Sequence, residues 1–292
     1  MRILIYGHKG WIGGMLINEW KERYPEDELI FGEARVEYQN KAGVLSEITL
    51  YNPDRIVCLL GRTSGKIGDR NIPNIDYLEE KGKLYENVRD NLFAPLLLAI
   101  ISNRLNIHLT YVGTGCIFSR NTKENDYIYT EEDFPDFCGS SYSAVKGFTD
   151  QLIPMFENVL NVRIRMPITK DYKDPKSFVS KIIGFEKIFS MPNSMTYLPD
   201  MIPLLIRLSV MKETGTIHLV NKGGISHSEI LNLYKDKVDH NHTFEEIDGE
   251  ALERLLKAPR SNNILSTDRL EKLFPGEVRE IKECVEEMFK KY

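Results

Sequence analysis

Disulfide patterns, metal-binding motifs and long apolar runs are all missing from this chain. Its four cysteines, at positions 58, 116, 138 and 284, lie far apart and form no Cys-x-x-Cys pair. That spacing disfavours a disulfide framework or a metal site, and it favours free thiols in a cytosol-like compartment. No apolar run reaches the roughly 18 residues of a membrane span, and no secretory signal core follows the first methionine. We therefore expect a cytoplasmic protein with no metal and no membrane partner.

An excess of basic residues is also missing. The formal net charge is −5, from 38 Lys and Arg against 43 Asp and Glu. Nucleic acids and anionic membranes attract basic surfaces, so neither is expected as a partner. Apolar residues make up 42% and charged residues 28% of the 292 positions. These values are typical of a globular protein with one large α/β domain or two smaller lobes.

A glycine pattern near the N-terminus predicts a nucleotide site. It has the spacing Gly-x-x-Gly-x-x-Gly between a short apolar strand, 2–6, and an amphipathic helix that should end near Tyr24. Glycines allow a tight turn and the close approach of a pyrophosphate, and the helix start offers free amides. A tight turn that binds nothing is the alternative. The expected cofactor contacts here are Gly7, Lys9, Gly10, Trp11, Ile12 and Gly13.

The residues after the second predicted strand bear on the choice between NAD and NADP. Glu33 suits the adenosine ribose of NAD, whereas Arg35 suits the 2′-phosphate of NADP. Lys9 adds a second cation, which favours NADPH and leaves NADH as the weaker choice. A solvated pair of Glu33 and Arg35 is the alternative. Gly61 follows the third predicted strand and is also expected beside the cofactor.

Strands and helices alternate through the first 168 residues, which predicts an α/β fold with a Rossmann-type, doubly wound parallel sheet. The predicted strands are 2–6, 29–32, 55–60, 108–114 and 162–168, and the predicted helices include 42–51, a helix from Asn91 to about Asn103, and 140–158. Residues 119–139 are predicted to form a long surface loop. We divide the chain into a nucleotide-binding domain, 1–168, and a smaller C-terminal lobe, 169–292, mainly for substrate binding and interleaved with the first.

Three polar side chains are predicted to meet at the carboxyl end of the fourth strand. Thr114 ends that strand, and Tyr142 and Lys146, spaced i and i+4, share one face of a helix. A phenol gives up its proton poorly at neutral pH unless a nearby ammonium lowers its pKa, and a hydroxyl can orient a substrate oxygen. This set is suited to reducing a ketone with a nicotinamide cofactor, which Tyr142 and Lys146 should also contact.

A thiol and a lysine are candidates for a second reaction. Cys116 lies two residues beyond Thr114, and a thiol can exchange protons when a cation is near. A small buried hydrophobe is the alternative reading of Cys116. Asp174 followed by proline predicts a helix that reaches about Phe189. Lys181 falls on its apolar stripe of Phe178, Ile182 and Phe185, where it either snorkels to the edge or lines a pocket that lowers its pKa.

Two segments in the second lobe have weaker patterns. Ser226 and Glu229 predict a capping box, and His227 between them is expected to be a packing residue and not a ligand. The basic, polar loop 257–263 is suited to binding a diphosphate. An ordinary turn between helices is the alternative for that loop.

The glycine loop, Thr114 and Tyr142-x-x-x-Lys146 together resemble an extended short-chain dehydrogenase/reductase. Longer strings are similar to the family of bifunctional nucleotide-rhamnose synthases, which are 3,5-epimerase/4-reductases. The strings are Ile5–Gly14, Thr114–Phe118, Arg165–Ile168, Met191–Thr196 and Ala258–Asn263. The resemblance covers essentially the whole chain.

The resemblance implies an enzyme that inverts C3 and C5 of UDP- or dTDP-4-keto-6-deoxy-glucose and reduces C4 with NADPH, giving the nucleotide-L-rhamnose. The family assigns epimerisation to a cysteine and a lysine that match Cys116 and Lys181. The nucleotide sugar is expected to contact Thr114, Gly115, Cys116, Asn193, Arg260 and Asn263. The 4,6-dehydratase that makes the ketone is sometimes fused in front, and here a separate protein is expected. A homodimer is left open.

Two alternatives stay open. A 4-keto reductase without epimerase activity, like dTDP-4-dehydrorhamnose reductase, would not need Cys116 and Lys181. A non-catalytic regulatory subunit that keeps the fold and the nucleotide site would not need Tyr142 and Lys146. The sequence does not decide between UDP and dTDP, the oligomeric state, or how strictly NADPH is preferred.

Overall fold

The computed structural model describes residues 1–119 and 127–290. Its strands are β1 Arg2–Tyr6, β2 Glu28–Phe31, β3 Arg55–Cys58, β4 Gly65–Ile67, β5 Arg70–Ile72, β6 His108–Thr114, β7 Ile128–Tyr129, β8 Val159–Ile164, β9 Lys187–Ile188, β10 Gly215–His218, β11 Glu245–Glu246 and β12 Ile264–Leu265. Its α-helices are α1 Trp11–Arg23, α2 Lys41–Tyr51, α3 Leu84–Val88, α4 Ala94–Arg104, α5 Ser141–Leu152, α6 Phe178–Ile183, α7 Leu198–Val210, α8 His227–Lys237, α9 Gly249–Leu255, α10 Asp268–Leu273 and α11 Ile281–Lys290. Tighter 3-10 turns occur at Tyr38–Asn40, Ile75–Glu79 and Ile153–Met155.

Six of these strands form one parallel sheet in the order β10-β8-β6-β3-β1-β2. The chain first moves from β1 outward to β2 and then crosses to β3 on the other side of β1. This confirms the predicted doubly wound sheet. In such sheets, ligands bind at the carboxyl ends of the strands where the strand order reverses, here between β1 and β3.

Helices cover both faces of the sheet. One apolar cluster joins α1 and α7 to the strands, and a second joins α2 and α4 to the opposite face. All seven residues of β6 are buried, as expected for a central parallel strand that is covered on both faces. Representative core residues are Leu16, Trp20, Met201 and Leu205 on the first face and Val44, Ile48 and Leu98 on the second.

A third apolar cluster builds the smaller lobe. Helices α6, α8 and α11 pack together there around Ile182, Ile230, Val285 and Phe289. Strand β10 and helix α7 come after residue 168 in the chain, yet they belong to the main sheet and to its core. The domain boundary after residue 168 therefore stays a prediction.

The helix expected to open at Asn91 begins earlier, at Leu84. A π-helical turn, Arg89–Phe93, joins α3 to α4. Pro95 cannot donate to the Asn91 carbonyl four residues before it, and its ring crowds that oxygen. The oxygen instead accepts a hydrogen bond of 2.7 Å from Thr149 Oγ1. The side chain of Asn91 does not cap a helix, because it bonds the backbone N–H and carbonyl of Arg62.

Three further bounds were wrong. The strand placed at 162–168 is β8, Val159–Ile164, and it ends before Met166, whose φ of 39° is left-handed. The helix placed from Asp174 to about residue 189 is the shorter α6. It begins later than predicted because Asp174 accepts from the Lys176 N–H in a turn before the helix. Helix α5 ends at Leu152, where a 3-10 turn takes over.

The predicted surface loop 119–139 lies partly outside the described residues, since 120–126 are not described. Within the described ranges, no helix combines the length and the apolar character that crossing a membrane requires.

Candidate active site

The glycine loop after β1 has no space for larger residues. Gly7 has φ 88°, and a Cβ there would lie 2.9 Å from the Leu59 carbonyl carbon. A Cβ on Gly13 would lie 2.4 Å from the Gly7 oxygen, and one on Gly10 would lie 3.1 Å from the same atom. The first amides of α1, beginning at Trp11, have no partner within the helix. This backbone cradle fits a pyrophosphate.

A cavity of about 410 Å³ opens beside this loop and has the size of a cofactor site. Several of its lining residues are charged, and three of them are cations. They form ion pairs at the rim, Lys9 with Glu33 at 3.1 Å, Arg35 with Glu37 at 3.0 Å and Arg62 with Asp90 at 2.5 Å. The structure therefore brings together Gly7, Lys9, Arg35 and Gly61 as predicted lining residues, and Arg62, next to Gly61 in the chain, lines the cavity with them.

The side chains of Trp11 and Ile12 face away from this cavity. Trp11 Nε1 donates to Asp174 Oδ2 at 2.9 Å, and Ile12 packs against the core under α1. Only their backbone amides remain as candidates for cofactor contact. The Trp11 bond also fixes the segment before α6 against the glycine loop.

The end of β6 and the start of α5 are joined by hydrogen bonds. Thr114 Oγ1 accepts from the Cys116 N–H at 3.1 Å, and Ser143 Oγ donates to the Cys116 carbonyl at 2.7 Å. Ser140 caps α5 by accepting from the Ser143 N–H at 3.1 Å. These bonds hold the helix that carries Tyr142 directly against the turn after Thr114.

Tyr142 is buried, with 7% of its surface exposed, in a cluster with Tyr77 and Leu78. Burial raises the pKa of its phenol, and the nearby Cys116 raises it further, whereas a hydrogen bond with Thr114 lowers it. Thr114, Cys116 and Tyr142 therefore meet at one point, as predicted. The pKa of Tyr142 is therefore raised overall.

Lys146 bonds a different phenol from the Tyr142 phenol that it was expected to act on. Its ammonium donates to the buried phenol of Tyr111, and Thr114 is the group that lowers the pKa of Tyr142. Lys146 is long enough to reach back to β6, where the phenol of Tyr111 offers a buried oxygen. Burial lowers the pKa of Lys146 to about 8, although Cys58, Asp150 and Cys116 oppose that effect.

Cys116 is partly exposed, and its sulfur accepts a hydrogen bond from Arg165 Nη1 at 3.4 Å. Arg165 directly follows β8 and is fully buried, and burial lowers its pKa. Sequence reasoning missed this contact. The available signal was an arginine among the apolar residues of a predicted strand, within the string Arg165–Ile168.

Two predicted substrate residues are buried in the wall of the site. Asn263 Nδ2 donates to the carbonyls of Gly115 at 2.9 Å and Phe118 at 3.1 Å. Asn193 Oδ1 accepts from the Asn263 N–H at 3.1 Å and also from Arg165. Both asparagines are completely buried, so in this structure they shape the turn that carries Cys116.

Arg260, predicted to meet a diphosphate, already has an anionic partner. It forms an ion pair with Asp76 at 3.0 Å, and Lys257 in the same loop pairs with Glu80 at 2.9 Å. These pairs tie the 257–263 loop to the segment that packs over Tyr142. A phosphate would have to compete with Asp76 for Arg260.

Lys181 is half-buried on α6, and the predicted stripe around it was partly wrong. Phe185 lies beyond the helix and is 48% exposed, while Val179 and Ile182 are the buried residues. Burial lowers the pKa of Lys181, and the charge of Asp174 opposes that effect. Within the described part of the chain, the side-chain ammonium of Lys181 makes no hydrogen bond or ion pair.

His227 is a packing residue, as expected, and the capping box of Ser226 and Glu229 is present. Its ring contacts that of Phe178, with the ring centroids 5.2 Å apart. Burial and the charge of Arg165 lower the pKa of His227 to about 4. Among the described residues, no group of three or more His, Cys, Asp or Glu side chains could hold a metal.

Fold and site define the chain as an extended short-chain dehydrogenase/reductase, because a glycine-loop Rossmann sheet carries a strand-end hydroxyl beside a helical Tyr-x-x-x-Lys. No protein-family model matches it. Protein L780 of Acanthamoeba polyphaga mimivirus is 46% identical over 278 residues, 94% of this chain and 93% of L780. The crystal structure of the L780 UDP-rhamnose synthase aligns with a TM-score of 0.90 and 45% identity, over 98% of this chain and 99% of that one.

Two plant proteins are also similar along nearly the whole chain. The bifunctional dTDP-4-dehydrorhamnose 3,5-epimerase/dTDP-4-dehydrorhamnose reductase of Arabidopsis thaliana is 34% identical over 288 residues, 97% of this chain and 90% of that protein. A trifunctional UDP-glucose 4,6-dehydratase/3,5-epimerase/reductase of the same plant is 33% identical, over 98% of this chain and 41% of its own length. The chain belongs to the family of nucleotide-rhamnose 3,5-epimerase/4-reductases.

Proposed function

We propose that this protein is a bifunctional enzyme that inverts C3 and C5 of a nucleotide 4-keto-6-deoxy-D-glucose and then reduces C4 with NADPH to form the nucleotide-L-rhamnose. The observation that carries the proposal is the meeting of a hydroxyl, a phenol and a thiol, from Thr114, Tyr142 and Cys116, at one strand end. The hydroxyl and the phenol are suited to orienting and protonating the oxygen of a ketone during its reduction, and the thiol adds proton exchange at the neighbouring carbons. Similarity to the bifunctional plant relative and to the L780 UDP-rhamnose synthase supports it.

The glycine cradle and the adjoining cavity are the proposed cofactor site. The loop amides would hold the pyrophosphate, and Lys9 and Arg35 would face the 2′-phosphate of NADPH, so NADH should bind less well. Bound NADPH supplies the hydride that reaches C4. Lys146 would hold the cofactor ribose, because among the described residues its ammonium bonds one acceptor, Tyr111, which leaves two N–H groups for the cofactor.

The chemistry assigned to this chain begins with proton exchange. Hydrogens at C3 and C5 flank the C4 ketone and are acidified by it, so a base can remove them. Cys116 lies beside Thr114, which would bond the C4 oxygen. Lys181, from a separate helix and with a lowered pKa, is the proposed partner that returns a proton from the other face. Tyr142 then gives its proton to the C4 oxygen during reduction, because the developing alkoxide is a stronger base than the buried phenolate.

Substrate supply and assembly belong to the same proposal. A 4,6-dehydratase must make the 4-keto sugar.

Five exposed apolar side chains on and near α3 and α5 suggest a homodimer built on that face. They are Leu84, Tyr85, Phe148, Leu152 and Met155. The four cysteines are unpaired, which suits the reducing cytosol where we place the reaction. Light scattering of the purified protein would measure twice the chain mass for the dimer.

One assay tests the proposal and its alternatives. The protein is incubated in heavy water with the 4-keto sugar, as either its UDP or its dTDP form, with and without NADPH. We expect deuterium at C3 and C5 without NADPH, and nucleotide-L-rhamnose with it. Reduction of a pre-epimerised sugar, with no deuterium uptake from heavy water at C3 and C5, would indicate an enzyme that is a reductase only. No turnover with either nucleotide sugar would indicate a non-catalytic subunit.

A further inference from the structure

The guanidinium of Arg165 is a buried charge that contacts the sulfur of Cys116. It is completely buried. Its Nη1 donates to Cys116 Sγ and to the Gly115 carbonyl, both at 3.4 Å, and to Ser261 Oγ at 3.0 Å. Its Nη2 donates to the Ser261 carbonyl at 2.7 Å and to Asn193 Oδ1. Its Nε is buried and bonds no acceptor among the residues that the structure describes.

None of these acceptors is an anion. Within residues 1–119 and 127–290, Arg165 pairs with no carboxylate. Two positions earlier, on β8, Arg163 is almost as deeply buried, and it forms a two-pronged pair with Asp150 at 2.9 and 2.7 Å. A buried cation is strongly destabilising unless an opposite charge compensates it. Arginine keeps its proton in proteins, so the charge of Arg165 cannot be relieved by deprotonation.

We propose that Arg165 is the charge partner of Cys116 and stabilises the thiolate form of its sulfur. Among the described groups that bond the guanidinium, the thiol is the one that readily becomes an anion. A cation beside a cysteine favours the thiolate, which is the form that acts as a base. The compensating carboxylate that Arg163 has is thus replaced at Arg165 by the reacting group itself.

This role of Arg165 deepens the proposed function. The use of the thiolate in epimerisation rests on that proposed function. In the epimerisation step, the C–H bond at C3 or C5 breaks, an S–H bond forms on Cys116, and the electron pair moves into an enolate whose oxygen is the former C4 carbonyl. Return of a proton from Lys181 to the other face restores the C–H bond. The neutral amine and the thiol then exchange a proton through water, which regenerates the ammonium and the thiolate.

A purely structural role for Arg165 is the competing explanation, because its hydrogen bonds also link three loops. Three variants separate the two. Arg165→Gln removes the charge and keeps amide donors, Arg165→Lys keeps the charge, and Ser261→Ala removes one link while leaving the charge against the sulfur. The readout is the rate at which iodoacetamide alkylates Cys116 at neutral pH, followed by peptide mass spectrometry. Cys138, which is exposed, serves as the internal reference.

We expect Arg165→Gln to slow alkylation of Cys116 by about tenfold or more, with the rate at Cys138 unchanged. Arg165→Lys should keep most of the wild-type rate, and Ser261→Ala should keep nearly all of it. Equal rates in wild type and a folded Arg165→Gln protein would overturn the proposal. So would a loss in Ser261→Ala as large as the loss in Arg165→Gln, since that pattern belongs to a structural link.

A measurement on the native chain covers the case in which the Arg165 variants fail to fold. The ultraviolet spectrum of wild type minus that of Cys116→Ser should contain thiolate absorbance at neutral pH. A difference spectrum without thiolate absorbance would refute the proposal whatever the variants do. Neither readout depends on turnover, so a thiolate without deuterium exchange would count against the proposed epimerisation and leave the role of Arg165 intact.

Discussion

A Cβ atom on Gly13 would lie 2.4 Å from the carbonyl oxygen of Gly7. No side chain can be placed at such a distance from a backbone atom without moving the loop. The neighbouring Gly14 is different, because among the described residues no atom beyond its chain neighbours and the nearby backbone of its own helix lies within 4 Å of a Cβ built on it. The two adjacent glycines therefore form a matched pair, one required by the cofactor cradle and one not.

Gly13→Ala should destabilise the protein by roughly 1–3 kcal/mol and weaken NADPH binding strongly, because the first turn of α1 must shift away from Gly7. Gly14→Ala should keep NADPH affinity and add up to about 1 kcal/mol of stability, since alanine favours a helix interior. Urea unfolding and cofactor titration measure both. Equal NADPH affinity in the two variants would show that the loop is not the pyrophosphate site.

Tyr142→Phe should lower the rate of C4 reduction by about 100- to 10,000-fold, the usual range for a lost general acid. Cofactor affinity should stay near normal, because only the phenol oxygen is removed. NADPH oxidation with a pre-epimerised 4-keto sugar is the measurement. Tyr85→Phe, on an exposed tyrosine of α3, is the control and should keep full activity. Wild-type NADPH consumption by Tyr142→Phe would remove this residue from the mechanism.

Arg35→Ala should raise the KM for NADPH about tenfold and change the KM for NADH little, because a charged hydrogen bond to the 2′-phosphate is lost. Arg35 lines the proposed cofactor cavity, where its present partner is Glu37. Steady-state kinetics with both cofactors provide the comparison. Arg254→Ala, on an exposed side chain of α9, is the control. An equal response to both cofactors would point to Glu33 as the residue that sets the preference.

Cys116→Ala should separate the two reactions. Deuterium uptake at C3 and C5 from heavy water should fall by about 100- to 10,000-fold. Reduction of an already epimerised substrate should continue, because Tyr142 and Lys146 are unchanged. Lys181→Ala should behave in the same way if that lysine serves the opposite face. Cys138→Ala removes an exposed thiol and is the control. Normal deuterium exchange in Cys116→Ala would favour the reductase-only alternative.

Stability should decrease in mild acid because His218 is buried in its neutral form. Burial and the charge of Arg163 lower its pKa from 6.5 to about 3. Between these two values the unfolded chain binds a proton that the folded chain excludes. The free energy of unfolding therefore falls as the pH drops below 6.5, by up to about 1.4 kcal/mol per pH unit for this group.

His218→Gln should make that pH dependence shallower, even if it lowers stability overall through the lost contact with Arg163. Urea unfolding at a series of pH values between neutral and mildly acidic measures the slope. His240→Gln, on an exposed histidine, should leave the slope as in wild type. An unchanged slope in His218→Gln would mean that the folded protein protonates His218 as readily as the unfolded chain does.

The sequence by itself determined the sheet and the core of the reductase site, because both depend on short-range rules. Strand and helix periodicities predicted the parallel sheet, and the four bounds of β1 and β6 were correct to the residue. The glycine spacing predicted the cradle at residues 7–13. The i, i+4 spacing predicted that Tyr142 and Lys146 share one face of α5, and the ends of parallel strands always meet at one edge.

Only the tertiary structure decided which partner each charged side chain takes. Lys146 bonds Tyr111 and not Tyr142, Arg260 pairs with Asp76 across 184 positions, and Arg165 reaches Cys116 across 49. These choices depend on how loops far apart in the chain pack over the sheet edge, and no local periodicity encodes that packing. A buried charge must use whatever acceptor the folded chain brings within reach, which is why Arg165 lies against the thiol.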